Sequence, residues 1–177
     1  MEQLTIMIAE DNHLYRHGLE DILNDLPGVV VTGVAADGQE LLEMVNQNPP
    51  QVVFTDIQMP VLNGIEATRI LTERYPELPV LAITVYDDYW FLGQMLSAGA
   101  SGYLLKDSTE DEFARAVEAV NEGRPYYCRR TLEQMKALVA DPRITGLFNK
   151  VALLELSAPE LTTIRLSLED HSIKEIA

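Results

Sequence analysis

The sequence predicts an open, doubly wound α/β fold with a five-stranded parallel sheet at its centre. Two observations support this prediction. Over the first 122 residues, short apolar runs alternate with segments whose apolar residues recur at helical spacing, and the links between them are short. Most of the apolar runs are continuous rather than alternating, which is typical of parallel strands that helices cover on both faces.

Each predicted element has its own local pattern. The strands are the apolar runs at 4–9, 29–35, 51–56, 80–84 and 102–105, and the helices are the amphipathic stretches at 12–26, 39–47, 65–74, 89–98 and 110–122. Thr109 and Glu112 form a capping-box pattern before the last helix, which marks a helix N-terminus. Gly123 and Pro125 then end the alternation. We therefore predict a first domain over residues 1–122.

The remaining residues predict a different organisation. We expect a helical linker at 123–155, with a helix at 131–139, and then the beginning of a second, helical domain at 156–177. Near the end, Ser172 and Glu175 form another capping box, so a helix begins there, yet very few residues follow. Isolated helices shorter than about 12–15 residues are marginal in water, so we expect this helix to belong to a longer unit.

Charge and composition exclude several functions for the first domain. Residues 1–122 hold 21 acidic and 5 basic residues, a net charge of −16, whereas 123–177 hold 7 acidic and 8 basic residues. A domain this acidic repels nucleic acid, so any DNA contact must come from elsewhere.

Cys128 is the only cysteine, which excludes a disulfide framework and a thiolate metal cluster. The apolar runs are far shorter than the roughly 18 residues of a membrane span, so we expect a cytoplasmic protein with no membrane contact.

The residues with chemical potential fall where the predicted strands end. Glu10 and Asp11 follow the first strand, Asp56 ends the third, Thr84 ends the fourth and Lys106 follows the fifth. Open α/β sheets bind ligands at the carboxyl ends of their strands, so these side chains should converge. Three carboxylates favour a hard cation, and a site with one or two direct carboxylates suits Mg²⁺. A carboxylate can also attack phosphorus, and a metal and an ammonium would then offset the charge of the transferred group.

At these strand ends the chain closely resembles a bacterial response-regulator receiver domain, which has a flavodoxin-like fold. The resemblance covers about residues 4–122. It is specific because several separate motifs occur in order, each at its expected strand end. The matching motifs are IAEDN at 8–12, VVFTDIQMPVLNG at 52–64, LAITVY at 81–86 and GYLLKDS at 102–108.

The resemblance implies a role for each residue of the acidic group. Asp56 would be the phosphoacceptor. Asp11 and Asp56 would bind Mg²⁺ directly, together with the backbone carbonyl of Gln58. Glu10 would act mainly through a metal-bound water. Glu10 stands where the family more often has Asp, which lengthens that side chain by one methylene.

The resemblance also implies residues that respond to the phosphoryl group. Lys106 would pair with the acidic cluster and then with the phosphoryl group, Thr84 would bond a phosphoryl oxygen, and Tyr103 would turn inward behind it. This local event would shift a two-state surface near the fourth and fifth strands. Asp107 stands where many receivers have Pro, which leaves the isomer of the preceding peptide bond open. The aromatic run at 89–91 also leaves two interpretations open, helix packing or an exposed dimer or output face.

The last residues resemble the beginning of the LuxR-type helix-turn-helix domain of NarL/FixJ regulators. The matching stretch is LSAPELTTIRLSLEDHSIKEIA at 156–177. In that family its final helix is the scaffold helix of the motif, and the recognition helix that enters the major groove comes next. The recognition helix is absent from the 177 residues. We therefore predict a transcription regulator truncated within its DNA-binding domain, which binds DNA only as the full-length protein.

Together these resemblances predict a two-component response regulator. A sensor histidine kinase would phosphorylate Asp56 with Mg²⁺, and the modified protein would form a homodimer and control transcription. Its only catalysis would be self-phosphorylation from a phosphodonor and slow self-dephosphorylation. The alternative is a receiver-type interaction module that acts without phosphorylation. An aspartyl-phosphate hydrolase is disfavoured because that class needs a second acid two residues after its nucleophile, where Gln58 stands.

Overall fold

The structure, a computed structural model, describes residues 3–86 and 89–133 of the chain. The strands are β1 Leu4–Ala9, β2 Val29–Ala35, β3 Val52–Asp56, β4 Val80–Thr84, β5 Gly102–Leu105 and β6 Tyr126–Tyr127. The helices are α1 His13–Asn24, α2 Gly38–Gln47, α3 Gly64–Arg74, α4 Tyr89–Ser97 and α5 Glu110–Asn121. Residues 129–133 are helical as well.

The strands form one parallel sheet in the order β2-β1-β3-β4-β5-β6. The doubly wound parallel α/β fold predicted from the sequence is therefore confirmed, and the five predicted strands begin and end within one residue of their predicted positions. The predicted number of strands is wrong, because the described residues contain six.

The sixth strand lies where the sequence predicts the start of a helical linker. Tyr126 and Tyr127 pair in parallel with Gly102 and Tyr103 of β5. The backbone N–H of Cys128 then donates to the carbonyl of Tyr103 at 3.2 Å. A strand of two residues has no periodicity of its own, so it forms only because the edge of β5 offers unpaired backbone groups. The segment after α5 is thus bonded directly to the strand that carries Tyr103.

Polar caps begin four of the helices. The capping side chains, which accept hydrogen bonds from backbone N–H groups of the first turn, belong to Asn12, Asp37, Asn63 and Thr109. The predicted capping box is confirmed, since Glu112 also accepts from the backbone N–H of Thr109 at 3.0 Å. Asn12 directly follows the first acidic pair, and Asn63 closes the loop after Asp56. Two of the caps therefore hold the loops that carry the acidic residues.

Helices cover both faces of the sheet. On one face, Leu23 of α1 and Phe113 of α5 belong to the same buried cluster as Phe54 of β3. On the other face, Leu41 of α2 and Leu92 of α4 lie in two further buried clusters. Every residue of β3, β4 and β5 is buried, which explains why their sequences are nearly continuous apolar runs.

Four further points raised by the sequence have different outcomes. The linker beyond residue 133 and the helix-turn-helix start at 156–177 lie outside the described residues and stay predictions. The Lys106–Asp107 peptide bond is trans, like the other peptide bonds of the described residues. In the aromatic run, Trp90 is 63% exposed whereas Phe91 packs against the buried cluster that contains Leu92 of α4, so the two aromatic rings have different environments. No helix within the described part of the chain is long and apolar enough to cross a membrane.

Candidate functional site

The predicted site residues converge at the carboxyl edge of the sheet. β3 lies between β1 and β4 in the sheet, so Asp56 at its end lies between Glu10 after β1 and Thr84 at the end of β4. β5 follows β4 and carries Lys106 to the same edge. The backbone N–H of Lys106 donates to the carbonyl of Thr84 at 2.8 Å, which extends the ladder past the last residue of β5. The strand order therefore brings together residues that are up to 96 positions apart.

Lys106 bridges two buried carboxylates. Its Nζ lies 2.8 Å from Asp56 Oδ2, and 2.8 Å and 2.6 Å from Oε1 and Oε2 of Glu10. Glu10 is 1% exposed and Asp56 is 6% exposed, so water contributes little to their solvation. One ammonium thus faces two carboxylates, and the group of three keeps a net negative charge when both carboxylates are ionised.

Backbone N–H groups hold the same two carboxylates in place. Ile57 N–H donates to Asp56 Oδ1 at 2.6 Å, and Asn12 N–H donates to Glu10 Oε1 at 3.0 Å. Glu10 Oε2 is buried and makes no hydrogen bond of normal geometry, although it lies close to the Lys106 ammonium. Glu10 therefore retains a lone pair that a further donor or a cation could use.

The pKa values of the charged pair reflect this imbalance. Burial raises the pKa of the Glu10 carboxyl and the charge of Asp56 adds to this, while the hydrogen bond from Lys106 acts in the opposite direction. Burial acts to lower the pKa of the Lys106 ammonium, but the hydrogen bonds to Asp56 and Glu10 and their charges outweigh burial and raise it. Lys106 therefore stays charged. A second positive charge would be needed to balance both carboxylates.

The arrangement of acidic oxygens fits a hard divalent cation. One carboxylate oxygen each from Glu10, Asp11 and Asp56 lie within 4.8 Å of one another. Asp11 is exposed whereas the other two are buried, so the group opens to solvent on one side. An all-oxygen ligand set is the one that Mg²⁺ and Ca²⁺ prefer. The part predicted for the backbone carbonyl of Gln58 stays a prediction.

The residues predicted to respond to the phosphoryl group are linked through Tyr86. The backbone N–H of Tyr86 donates to Thr84 Oγ1 at 3.2 Å. The Tyr103 hydroxyl donates to the carbonyl of Tyr86 at 2.7 Å, and Tyr103 is buried. The Tyr86 hydroxyl in turn donates to Gln58 Oε1 at 2.7 Å. Sequence reasoning placed Thr84 and Tyr103 but missed Tyr86, whose backbone contacts carry no sequence signal.

Tyr15 is a second residue that sequence reasoning missed. Its ring lies over the Lys106 ammonium, with Nζ 4.9 Å from the ring centroid, and its hydroxyl donates to the carbonyl of Lys106 at 3.2 Å. Burial and the nearby charges of Glu10, Asp56 and Asp107 raise the pKa of Tyr15, so its hydroxyl stays protonated and can donate. Nothing in the spacing of α1 indicates that this residue faces the site.

Gly64 sets the path of the loop after Asp56. A Cβ on Gly64 would lie 1.9 Å from the carbonyl oxygen of Asp56, and the Gly64 N–H donates to the carbonyl of Ile57 at 2.8 Å. Within the same loop, Val61 has a φ of 64°, and Leu62 N–H donates to the carbonyl of Pro60 at 2.7 Å. Positive φ is strained for a β-branched residue. The loop thus follows a tight and strained path that only glycine allows at residue 64.

Substitution of this glycine should destabilise the fold. We expect Gly64→Ala to lower the free energy of unfolding by about 3 kcal/mol, since the new methyl group must displace the backbone of Asp56. The matched control is Gly18→Ala in α1, where a Cβ meets nothing within 4 Å. Removing a helix-interior glycine should raise the free energy of unfolding by about 0.5–1 kcal/mol. Urea unfolding followed by circular dichroism measures both, and equal stability of the two variants would contradict this view of the loop.

Fold and site together define a receiver-type domain, a parallel α/β domain with an acidic cluster and a bridging lysine at its carboxyl edge. The chain belongs to the family of response regulator receiver domains, whose family model matches residues 6–118. Its relatives place it among the response regulators of the LuxR family.

The relatives differ in how much of the chain they match. The transcriptional regulatory protein DegU of Brevibacillus brevis is 40% identical over 124 residues, which are 70% of this chain and 52% of DegU. The response regulator UvrY of Escherichia coli (strain K12) is 27% identical over 174 residues, 98% of this chain and 78% of UvrY. The chain therefore spans about half the length of DegU and over three quarters of UvrY.

Solved structures agree with this assignment. A LuxR-family two-component response regulator from Aurantimonas sp. SI85-9A1 superposes with a TM-score of 0.76 at 28% identity, and the match covers 79% of this chain and 100% of that one. The signal receiver domain of NarL from Mycobacterium tuberculosis superposes with a TM-score of 0.67 at 32% identity, covering 70% of this chain and 100% of that one.

Proposed function

We propose that this chain is the input part of a two-component transcription regulator, which a sensor histidine kinase phosphorylates on Asp56 with Mg²⁺. One observation supports this above all: a buried aspartate at the end of β3 shares a single lysine with a second buried carboxylate, at the edge of the sheet where ligands bind. This site carries an excess of negative charge. Binding of a cation and transfer of a phosphoryl group would change how that charge is balanced.

The proposed reaction is an in-line transfer of the phosphoryl group. An oxygen of the Asp56 carboxylate attacks phosphorus, the P–N bond to the kinase imidazole breaks, and the leaving nitrogen takes up a proton. The product is an acyl phosphate on Asp56. Lys106, 2.8 Å from Asp56 Oδ2, provides a fixed positive charge where charge develops on the transferred group. A small phosphodonor can replace the kinase in the same reaction.

Asp11 and Asp56, with the backbone carbonyl of Gln58, would hold the Mg²⁺ ion, and Glu10 would contact it through water. The ion, when bound, supplies positive charge that offsets the charge of the phosphoryl oxygens. The close approach of three carboxylates, which a single ammonium cannot balance, supports this assignment.

Mg²⁺ should therefore stabilise the folded chain. We expect Mg²⁺ at 100 times its dissociation constant to raise the free energy of unfolding by about 2.7 kcal/mol. Asp11→Asn should remove most of this gain, because it replaces a proposed carboxylate ligand of the ion. The variant should still fold, since Asp11 is the one exposed carboxylate of the group. The control is Asp107→Asn, an exposed carboxylate that pairs with Arg130 instead. Urea unfolding with Mg²⁺ and with EDTA tests this, and a full Mg²⁺ effect in Asp11→Asn would contradict the ligand assignment.

Signal output is proposed to run through Tyr86. Thr84 Oγ1 accepts from the Tyr86 N–H and could also donate its own proton to a phosphoryl oxygen, which would turn and shift the side chain. Movement of Thr84 would then move the Tyr86 backbone, whose carbonyl holds the Tyr103 hydroxyl. Tyr103 lies in the same buried cluster as Leu92 of α4. A local change at Asp56 would thus bias a two-state surface around α4 and β5.

The output itself is proposed to be homodimer formation and, in the longer protein, DNA binding by the LuxR-type domain. The test is the chain's molar mass by light scattering with and without beryllofluoride, a non-covalent mimic of the phosphoryl group, in the presence of Mg²⁺. We expect monomers without the mimic and dimers with it. The same molar mass with and without the mimic would favour the alternative, an interaction module that acts without phosphorylation.

A further inference from the structure

Tyr15 lies beside the reactive group without any assigned part in it. We propose that Tyr15 is a positioning residue for phosphoryl transfer at Asp56: the face of its ring and its hydroxyl hold Lys106 where the ammonium meets both carboxylates. This inference rests on the proposed function, since it assigns a helper to the lysine of that reaction.

A lysine side chain needs neighbours that restrict its conformation if its ammonium is to stay in one place. Its ammonium is a compact, strongly hydrated charge at the end of a flexible four-carbon stem. Here the ammonium lies within 2.8 Å of oxygens of Glu10 and Asp56, and the Tyr15 ring covers a further side. The ring attracts the cation through its negative face and takes the place of water there. Two carboxylates and one ring thus surround much of the ammonium.

The hydroxyl fixes the ring relative to the end of β5. It donates to the carbonyl of Lys106 at 3.2 Å, while the N–H of Lys106 donates to the carbonyl of Thr84. Both backbone groups of the lysine are therefore bonded. On the other side, the Tyr15 N–H donates to the Asn12 side chain at 3.1 Å, which ties the first turn of α1 to the acidic loop. Tyr15 thus connects the loop after β1 to the lysine after β5.

Tyr15 also lines an open cleft beside the site. Thr84, Val85, Lys106 and Arg130 form other parts of its wall. The ring itself packs partly against the buried cluster between the sheet and α1. Leucine at this position would keep an apolar contact with that cluster but could not attract a cation, so Tyr15→Leu separates packing from positioning.

The experiment measures the initial rate of acid-labile phosphate incorporation from a small phosphodonor with Mg²⁺. We expect Tyr15→Leu to be slower by between about twofold and thirtyfold, the range that corresponds to a cation–π contact. Tyr15→Phe keeps the ring and loses only the hydroxyl bond to the Lys106 carbonyl, so its rate should fall between those of the wild type and Tyr15→Leu. Tyr75→Leu is the matched control, since Tyr75 is also half-buried but caps the C-terminus of α3 and donates its hydroxyl to Asn46. Its rate should be unchanged.

A double variant tests whether Tyr15 acts through Lys106. In the background of Lys106→Met, Tyr15→Leu should cause no further loss of rate. A purely structural part for Tyr15 predicts the same fold-loss in both backgrounds, and this result would overturn the proposal. Equal rates for wild type and Tyr15→Leu would overturn it as well.

The pairing itself is tested without any phosphoryl transfer. The ring current of Tyr15 should shift the ε-methylene proton resonance of Lys106 upfield in wild type and in Tyr15→Phe, and the shift should vanish in Tyr15→Leu. If the wild type takes up no label, the proposed function fails while this spectrum still decides the contact between ring and ammonium. If the shift is the same in all three proteins, the proposal fails even where labelling succeeds.

Discussion

Asp56→Asn is expected to abolish acid-labile phosphate incorporation from a small phosphodonor in the presence of Mg²⁺. The amide has no carboxylate oxygen to attack phosphorus, and no acyl phosphate can form at this position. Asparagine retains a carbonyl oxygen that can accept from the Ile57 N–H, which reaches Asp56 Oδ1 at 2.6 Å in the wild type. The variant should therefore fold, and circular dichroism checks that it does.

The controls separate the nucleophile from its neighbours. Asp107→Asn, at an exposed carboxylate that pairs with Arg130, should label like the wild type. Asp11→Asn should label slowly but measurably because it weakens the metal site and leaves the nucleophile. Label on folded Asp56→Asn at the wild-type rate would show that another residue accepts the phosphoryl group.

Lys106→Met is expected to cause the largest loss of stability of any single change at the site. Removing one partner of a buried ion pair typically costs about 3–5 kcal/mol, because it leaves the other charge without compensation. Here two carboxylates, 1% and 6% exposed, would face each other without the ammonium. Methionine keeps most of the volume of the stem, so the effect reports charge rather than a cavity. Urea unfolding at neutral pH in EDTA measures the loss.

The loss in Lys106→Met should depend on pH in a defined direction. Burial and the charge of Asp56 already raise the pKa of Glu10 above its ordinary value, and loss of the lysine removes the hydrogen bond that opposes them. A carboxyl whose folded-state pKa is raised favours the folded state at low pH, and that contribution is lost as pH rises through the folded-state pKa. The gap to wild type should therefore shrink as the pH falls from 7 toward the ordinary pKa of Glu, about 4.3.

Two further variants make this expectation specific. Glu10→Gln in the Lys106→Met background should recover part of the lost stability, because it removes one of the two opposed charges. Arg69→Met, at an exposed position of α3, should change the free energy of unfolding by no more than about 0.5 kcal/mol. Addition of Mg²⁺ should also narrow the gap between Lys106→Met and wild type. A loss that is independent of pH, of Glu10 and of Mg²⁺ would show that Lys106 stabilises the fold through packing alone.

Much of the site followed from the sequence because parallel sheets obey a simple geometric rule. Glu10, Asp56, Thr84 and Lys106 each come at the end of an apolar run, and the carboxyl ends of parallel strands lie at one edge. Their convergence needed only the fold class. The capping box at Thr109 was equally local and was found for the same reason.

What the sequence could not predict depends on contacts between distant elements. β6 is two residues long and exists because β5 would otherwise present a bare edge. The side chain of Tyr15 reaches Lys106, 91 residues away, only through the packing of α1 against the sheet. The bond from Tyr86 to Gln58 likewise joins two loops that no local pattern relates. Such contacts can be identified only from the tertiary structure, because no local sequence pattern marks either partner.

The most direct measurement locates the phosphoryl group on the chain. After incubation with a phosphodonor and Mg²⁺, borohydride reduces an aspartyl phosphate to homoserine, and tandem mass spectrometry of the peptides identifies the converted residue. We expect homoserine at position 56 alone, and none when Mg²⁺ is removed by EDTA. Conversion at Asp11 or elsewhere with position 56 intact, or no conversion in folded protein, would contradict the account of Asp56 as the phosphoacceptor.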